Sequence, residues 1–163
     1  MRKYHFLIAV GVIMLDRVTK WLVATRVDLH DSISILPGFV RLTHVQNSGA
    51  AFGLFADSTS EWKTSILIMF STIALIVVSA LLWKNSHSIT VTGVGLSLIL
   101  GGAVGNLWDR LLYGRVVDFL DFYISQYHWP AFNIADSAIV IGALLLVAEI
   151  LLARSPAEQN ASR

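Results

Sequence analysis

Cysteine is absent from the 163 residues of this chain. That excludes disulfides, thiolate metal sites and a cysteine nucleophile, and leaves the redox compartment open. Charge is scarce as well. Asp, Glu, Lys and Arg make up 14% of the residues, where about a quarter is usual for a soluble domain. The net charge is +1 with no basic stripe, so nucleic acid is not an expected partner. The histidines, at 5, 30, 44, 87 and 128, are scattered without metal-ligand spacing, and no metal or other cofactor is expected. No Gly-x-Ser-x-Gly elbow occurs. Gly101-Gly102-Ala103-Val104-Gly105 is followed by no lysine-serine pair and sits inside an apolar run, which reads as small-residue helix packing instead of a phosphate loop.

What the chain does have is apolar length. Hydrophobic residues make up 55% of it and fall into four runs, roughly 4–24, 64–83, 89–112 and 132–153. Each reaches the roughly 20 residues that a membrane-spanning helix needs. The first run follows Arg2-Lys3 as a signal peptide would. However, Asp16, Arg17 and Lys20 come next with no small-x-small cleavage site, and Trp21-Leu22-Val23-Ala24 resumes the apolar pattern, so a retained span is expected. An even number of spans puts both termini on one side. The termini and the 84–88 loop concentrate Arg2, Lys3, Lys84, Arg154 and Arg163, which assigns that side to the cytoplasm.

The expectation is therefore an all-α membrane protein of four transmembrane helices, one domain over residues 1–154, with extracytoplasmic loops at 25–63 and 113–131. A polar cytoplasmic tail, 155–163, is expected to be disordered. The first outer loop is too long for a connector. Its Pro37-Gly38 turn and alternating Phe39-Val40-Arg41-Leu42-Thr43-His44-Val45 predict a small β-rich cradle on the membrane surface. Gly49-Ala50-Ala51-Phe52-Gly53 is suited to close backbone approach. The second outer loop carries Phe119, Phe122, Tyr123, Tyr127 and Trp129, a composition typical of headgroup level.

Two carboxylates stand out within this pattern. Asp118 lies just past the outer end of the third run and Asp136 about one turn inside the fourth, both flanked by apolar residues. A carboxylate near hydrocarbon depth is costly and calls for a function or a partner. Two at similar depth can share one proton and so offer an acid and a base together. The bland alternative is that each caps a helix or pairs with Arg110 or Arg115. Asp16 and Lys20, four apart, share a helix face and read as an ion pair that makes the polar break tolerable. Asn106 and Arg110 repeat that spacing and could hold a substrate carbonyl or a headgroup, or fix the loop that carries Asp118. Asp109 is the rival acid, with Arg110 beside it as its expected ion-pair partner. Asn133 precedes Asp136 by three and could orient it. A transporter would spread carboxylates along the span, yet the inner half holds only Glu149; a lipid-binding scaffold has no use for paired acids.

The stretches Leu15-Asp16-Arg17-Val18-Thr19-Lys20, Asn47-Ser48-Gly49-Ala50-Ala51-Phe52-Gly53, 101–110, Gly114-Arg115-Val116-Val117-Asp118-Phe119 and Phe132-Asn133-Ile134-Ala135-Asp136-Ser137 resemble, in order and in register, those of the lipoprotein signal peptidases (signal peptidase II). The resemblance implies a bacterial inner-membrane aspartyl endopeptidase of four helices with its site toward the outer face. Its substrate would be a diacylglyceryl-modified prolipoprotein, cut before the lipid-bearing cysteine. By motif position Asp118 and Asp136 match the catalytic pair. Asp16, Lys20, Asn47, Gly49, Asn106, Arg110 and Asn133 match supporting or substrate-lining positions. Membrane lipids are implied partners, and the cyclic peptide globomycin an implied inhibitor.

Overall fold

A computed structural model describes residues 2–49, 62–85 and 89–152. The element order is α1 (Arg2–Arg26), β1 (Ser32–Leu36), β2 (Val40–Asn47), α2 (Trp62–Asn85), α3 (Val91–Tyr113), β3 (Val116–Ile124), β4 (Tyr127–His128) and α4 (Ile134–Leu152). The expected small-residue stretch from Ala50 to Gly53, the turn after Asn85 and the tail from 155 lie outside the described residues.

By length and composition, Thr64–Asn85, Val91–Tyr113 and Ile134–Leu152 are three helices able to cross a membrane. The 25-residue α1 is as long, but Asp16, Arg17 and Lys20 interrupt its apolar face. Their placement is explained by α3, the centre of the bundle, which packs against α1, α2 and α4. Small residues allow that approach. A Cβ added at Gly102 would stand 2.3 Å from the backbone oxygen of Ala135, so α3 and the first turn of α4 meet backbone to backbone. Thr90 caps the start of α3 by accepting from the Gly93 amide, and Gly114 ends it at φ 67°, a left-handed conformation that favours glycine.

The segments that follow α1 and α3 form one antiparallel sheet of order β1-β2-β3-β4. The β-rich stretch expected around residues 39–45 is β2, and β1 precedes it across the Pro37-Gly38 turn. The aromatic second loop supplies β3, whose partner lies some 70 residues earlier in the chain. Between the pairs Leu42↔Leu120 and Val45↔Asp118 the register slips, with Thr43 and His44 facing the single residue Phe119. Such a bulge bends a strand and increases its twist. The sheet rests on the end of α1 through a small core of Val23, Val27 and Phe119, with Leu42, Val117, Leu120 and Ile134 packed around it. Phe132 is strapped to β3 by backbone bonds to Phe119 and Leu120, which fixes where α4 begins.

Candidate active site

Asp118 projects from β3 and is 3% exposed. Its register neighbour across the sheet is Val45, and Asn47 lies two pairs further along, diagonal to Asp118 and on the same face. The Asn47 Nδ2 donates to Asp118 Oδ2 at 2.9 Å, and Asn133 Nδ2 donates to Oδ1 at 2.7 Å. Asp136 sits in the first turn of α4, nearer the helix start than the apolar pattern implied. It forms a reciprocal cap with Asn133: the Asp136 amide donates to Asn133 Oδ1 at 2.9 Å, and the Asn133 amide to Asp136 Oδ2 at 3.2 Å. Asn106 Nδ2, from α3, donates to Asp136 Oδ1 at 2.7 Å.

Three asparagine amides thus aim N–H groups at two carboxylates, and each is held in that orientation by its oxygen. Asn47 Oδ1 accepts from the Gly49 amide at 2.8 Å, and Asn133 Oδ1 is taken by the Asp136 amide. Asn106 Oδ1 accepts from Lys20 Nζ at 2.9 Å. An ammonium can only donate, so Lys20 obliges Asn106 to turn its nitrogen toward Asp136.

The remaining charge is gathered elsewhere. Lys20 Nζ lies 2.8 Å from Asp16 Oδ2 and 2.8 Å from Asp109 Oδ2, and Arg17 pairs with the other oxygen of Asp109. Asp16 Oδ1 accepts from the Ala135 amide at 3.0 Å, which ties α1 to the start of α4. The expected partner of Asp109, the adjacent Arg110, is not the observed one. Consecutive helical residues point about 100° apart, and Arg110 instead donates to Gly49 O at 3.2 Å and to Asn106 O at 3.4 Å. Asp16 and Asp109 are thereby neutralised, while no ion pair reaches Asp118 or Asp136 among the described residues. The consequence shows in Asp118, whose pKa is pushed up to about 6 by burial first and by the nearby charge of Asp136 second, against the lowering effect of the two amide bonds.

Both carboxylates line one cavity of about 290 Å³, whose other walls are Trp129, Pro130, Ala131, Phe132, Ser137, Val140 and Ile141. Val140 and Ile141 are about half exposed on the outer face of α4, and Trp129 stands beside them. The mouth therefore opens sideways, along an apolar helix face. Every nominated residue with described coordinates falls in this region, with Asp16 and Lys20 one layer behind the cavity. Asp109, the rival acid, is held in the ion network by Arg17 and Lys20, and Arg17 completes that network without any sequence signal of its own. Arg17 lay inside a quoted motif, but its partner is on another helix and nothing local marks the pair.

A family model described as signal peptidase (SPase) II matches residues 8–152.

The chain belongs to the signal peptidase II family.

It is 49% identical over 144 residues to a lipoprotein signal peptidase of Solibacter usitatus, covering 88% of each chain. It is 45% identical over 150 residues to one of Desulforapulum autotrophicum, covering 92% of this chain and 93% of that one. Among solved structures, one of a bacterial membrane enzyme is similar with a TM-score of 0.81 at 37% identity, over 91% of this chain and 88% of the other. The family match runs from within α1 to the end of α4 and takes in both halves of the sheet.

Proposed function

We propose that this signal peptidase II acts as an intramembrane aspartyl endopeptidase, removing the signal peptide from diacylglyceryl-modified prolipoproteins by cutting before the lipidated cysteine. The observation that carries this reading is the segregation of charge. Asp16 and Asp109 are spent in ion pairs, whereas Asp118 and Asp136 share a cavity and, among the described residues, accept from amide donors. Two carboxylates so placed hold one proton between them. The ionised member draws a proton from water as the water attacks the scissile carbonyl, and the protonated member gives its proton to the carbonyl oxygen. Collapse of the tetrahedral intermediate passes a proton to the departing amine and restores the pair. The amides of Asn47, Asn106 and Asn133 hold both carboxyl planes, and Arg110 holds Gly49, so that the strand edge at Asn47 keeps its place.

The membrane arrangement is part of the same proposal. We assign α1 as a fourth span, because Asp16 and Lys20 are 0% and 2% exposed and satisfy one another, and Arg17, partly exposed, is paired with Asp109. The domain then covers residues 1–154, both termini face the cytoplasm, and the sheet and cavity lie at the outer face of a bacterial inner membrane. Substrate enters sideways past Val140 and Ile141, held in the bilayer by its two acyl chains at roughly 0.8 kcal/mol per buried methylene. Globomycin, a cyclic peptide, would compete for that cavity.

Purified protein incubated with a lipidated prolipoprotein tests the assignment. Asp118→Asn and Asp136→Asn are each expected to lose about 10²–10⁴-fold in cleavage while still inserting and purifying. Asp109→Asn is expected to lose stability, since it leaves Arg17 without its carboxylate and Lys20 with Asp16 alone, and to keep partial activity. Near-normal turnover by either dyad variant sinks the proposal, and so does equal cleavage of lipidated and unlipidated substrate in the same detergent.

A further inference from the structure

Behind the candidate active site, a second cavity of about 240 Å³ lies between α1, α3 and the sheet, lined by Arg17, Lys20, Asp109 and Arg115 with Trp21, Ala24, Gln46, Tyr113 and Val117. Val117 and Asp118 are consecutive on β3, and side chains alternate across a strand. The two cavities therefore occupy opposite faces of the same strand, and the second is no part of the first.

Its polar inventory is specific. Lys20 donates to Asp16 and Asn106 and lies within ion-pair distance of Asp109, so its charge is engaged within the network. Arg17 engages Asp109 through one nitrogen and keeps its side chain 30% exposed, with further N–H groups free. Arg115 is exposed and makes no ion pair among the described residues. Counting charges, three cations (Arg17, Lys20, Arg115) face two carboxylates (Asp16, Asp109), which leaves one positive charge uncompensated. A guanidinium prefers a planar two-oxygen acceptor, and phosphate offers one. Two aromatic side chains stand at the rim, Trp21 at 61% and Tyr113 at 59% exposure. Amphipathic rings of this kind sit at headgroup level.

We propose that this cavity binds the phosphodiester of an anionic glycerophospholipid, with Arg115 and the free edge of Arg17 on the phosphate oxygens and the acyl chains running down the lipid-facing side of α1 and α3 beside Trp21. One monoanionic phosphodiester supplies the single negative charge the site lacks, and basic pockets between spanning helices are a recurrent form of headgroup site. The inference rests on the proposed membrane placement of α1 and α3, with the sheet at the outer interface. A lipid held here fixes Arg115, the residue just before β3 and three before Asp118.

The test is a titration of the full-length protein in neutral detergent with dihexanoyl phosphatidylglycerol, read by native mass spectrometry and by the rise in unfolding temperature. We expect one saturable site, at least five-fold weaker in Arg115→Gln and restored toward wild type in Arg115→Lys. Dihexanoyl phosphatidylcholine should bind several-fold less well. Inorganic phosphate at the same concentration should leave the unfolding temperature unmoved; if it shifts it as strongly, the cavity is a free-anion site and the lipid assignment falls. Equal phosphatidylglycerol affinity in wild type and Arg115→Gln, with both unfolding at the same temperature without lipid, also overturns it. Binding is read without substrate, so an inactive but folded Asp118→Asn protein should show the wild-type lipid affinity. Failure of the catalytic proposal therefore leaves this outcome unchanged.

Discussion

Replacing Asp118 with asparagine should make the protein more stable, and the size of the gain can be worked from its surroundings. The carboxyl is 3% exposed, and its pKa is raised from 3.8 to about 6. At about 1.4 kcal/mol per unit, the ionised form costs the folded state about 3 kcal/mol. The folded state holds this proton more tightly than the unfolded one. The penalty is therefore absent below pH 3.8, grows as pH rises through about 6, and is complete above it. Asparagine never carries the charge, but it is a poorer guest in one respect. Asp118 accepts N–H groups on both oxygens, and an amide can accept on only one. Turning Asn47 or Asn133 to suit would cost its bond to the Gly49 or Asp136 amide, about 1 kcal/mol. The net gain is about 2 kcal/mol at pH 8, or roughly 4–8 °C in unfolding temperature for a chain of this size. Thermal unfolding in detergent, followed by tryptophan fluorescence at pH 8 and pH 4, measures it. The reasoning is refuted if the asparagine variant is less stable than wild type at pH 8, or if its advantage persists undiminished at pH 4.

Two further outcomes follow from the same geometry. The pH dependence of kcat/KM should be bell-shaped, with an alkaline limb near pH 6 belonging to the pair of carboxyls, and a flat profile with chemistry rate-limiting would exclude a shared proton. Gly102→Ala should destabilise by about 1–3 kcal/mol and lower cleavage, because its Cβ would meet the Ala135 carbonyl oxygen and push the residue before Asp136 away from α3; an unfolding temperature equal to wild type would show that the two helices have room to spare.

Hydropathy alone set the helices. Each observed helix ends within two residues of the corresponding apolar run, because the 3.6-residue repeat and the length of a span need no knowledge of partners. The strand at β2 was visible in its alternation, and the Asp16–Lys20 pair in its i, i+4 spacing. Pairings across the chain were not. Sequence adjacency pairs Asp109 with Arg110, but its partners are Arg17 and Lys20 on α1, because adjacency on a helix says nothing about which side chains share a face. The aromatic composition of 119–129 suggests an interfacial loop, whereas part of it is the strand β3. Strand pairing with β2 is satisfied only when two distant loops meet, and aromatic composition suits a strand as well as a membrane surface. Asn133 was expected to orient Asp136, but its role as a cap that also serves Asp118 required the fold.

The ion network that joins α1 to α3 also sets an order of events in time. As the chain emerges, α1 arrives first with Asp16, Arg17 and Lys20 and only Asp16 to balance the two cations. Asp109, the carboxylate that completes the set, is made some 90 residues later, on α3. Until then, on the four-span assignment, the first helix carries an unsatisfied positive charge that favours water or the interface over hydrocarbon. The outer half of α1 would settle at full depth only when α3 comes alongside. The same step brings Asn106 against Lys20 and turns its amide toward the place Asp136 will occupy. Membrane insertion and construction of the site would then be one event, so that an α1 lodged in the bilayer without α3 has no way to resemble the finished enzyme.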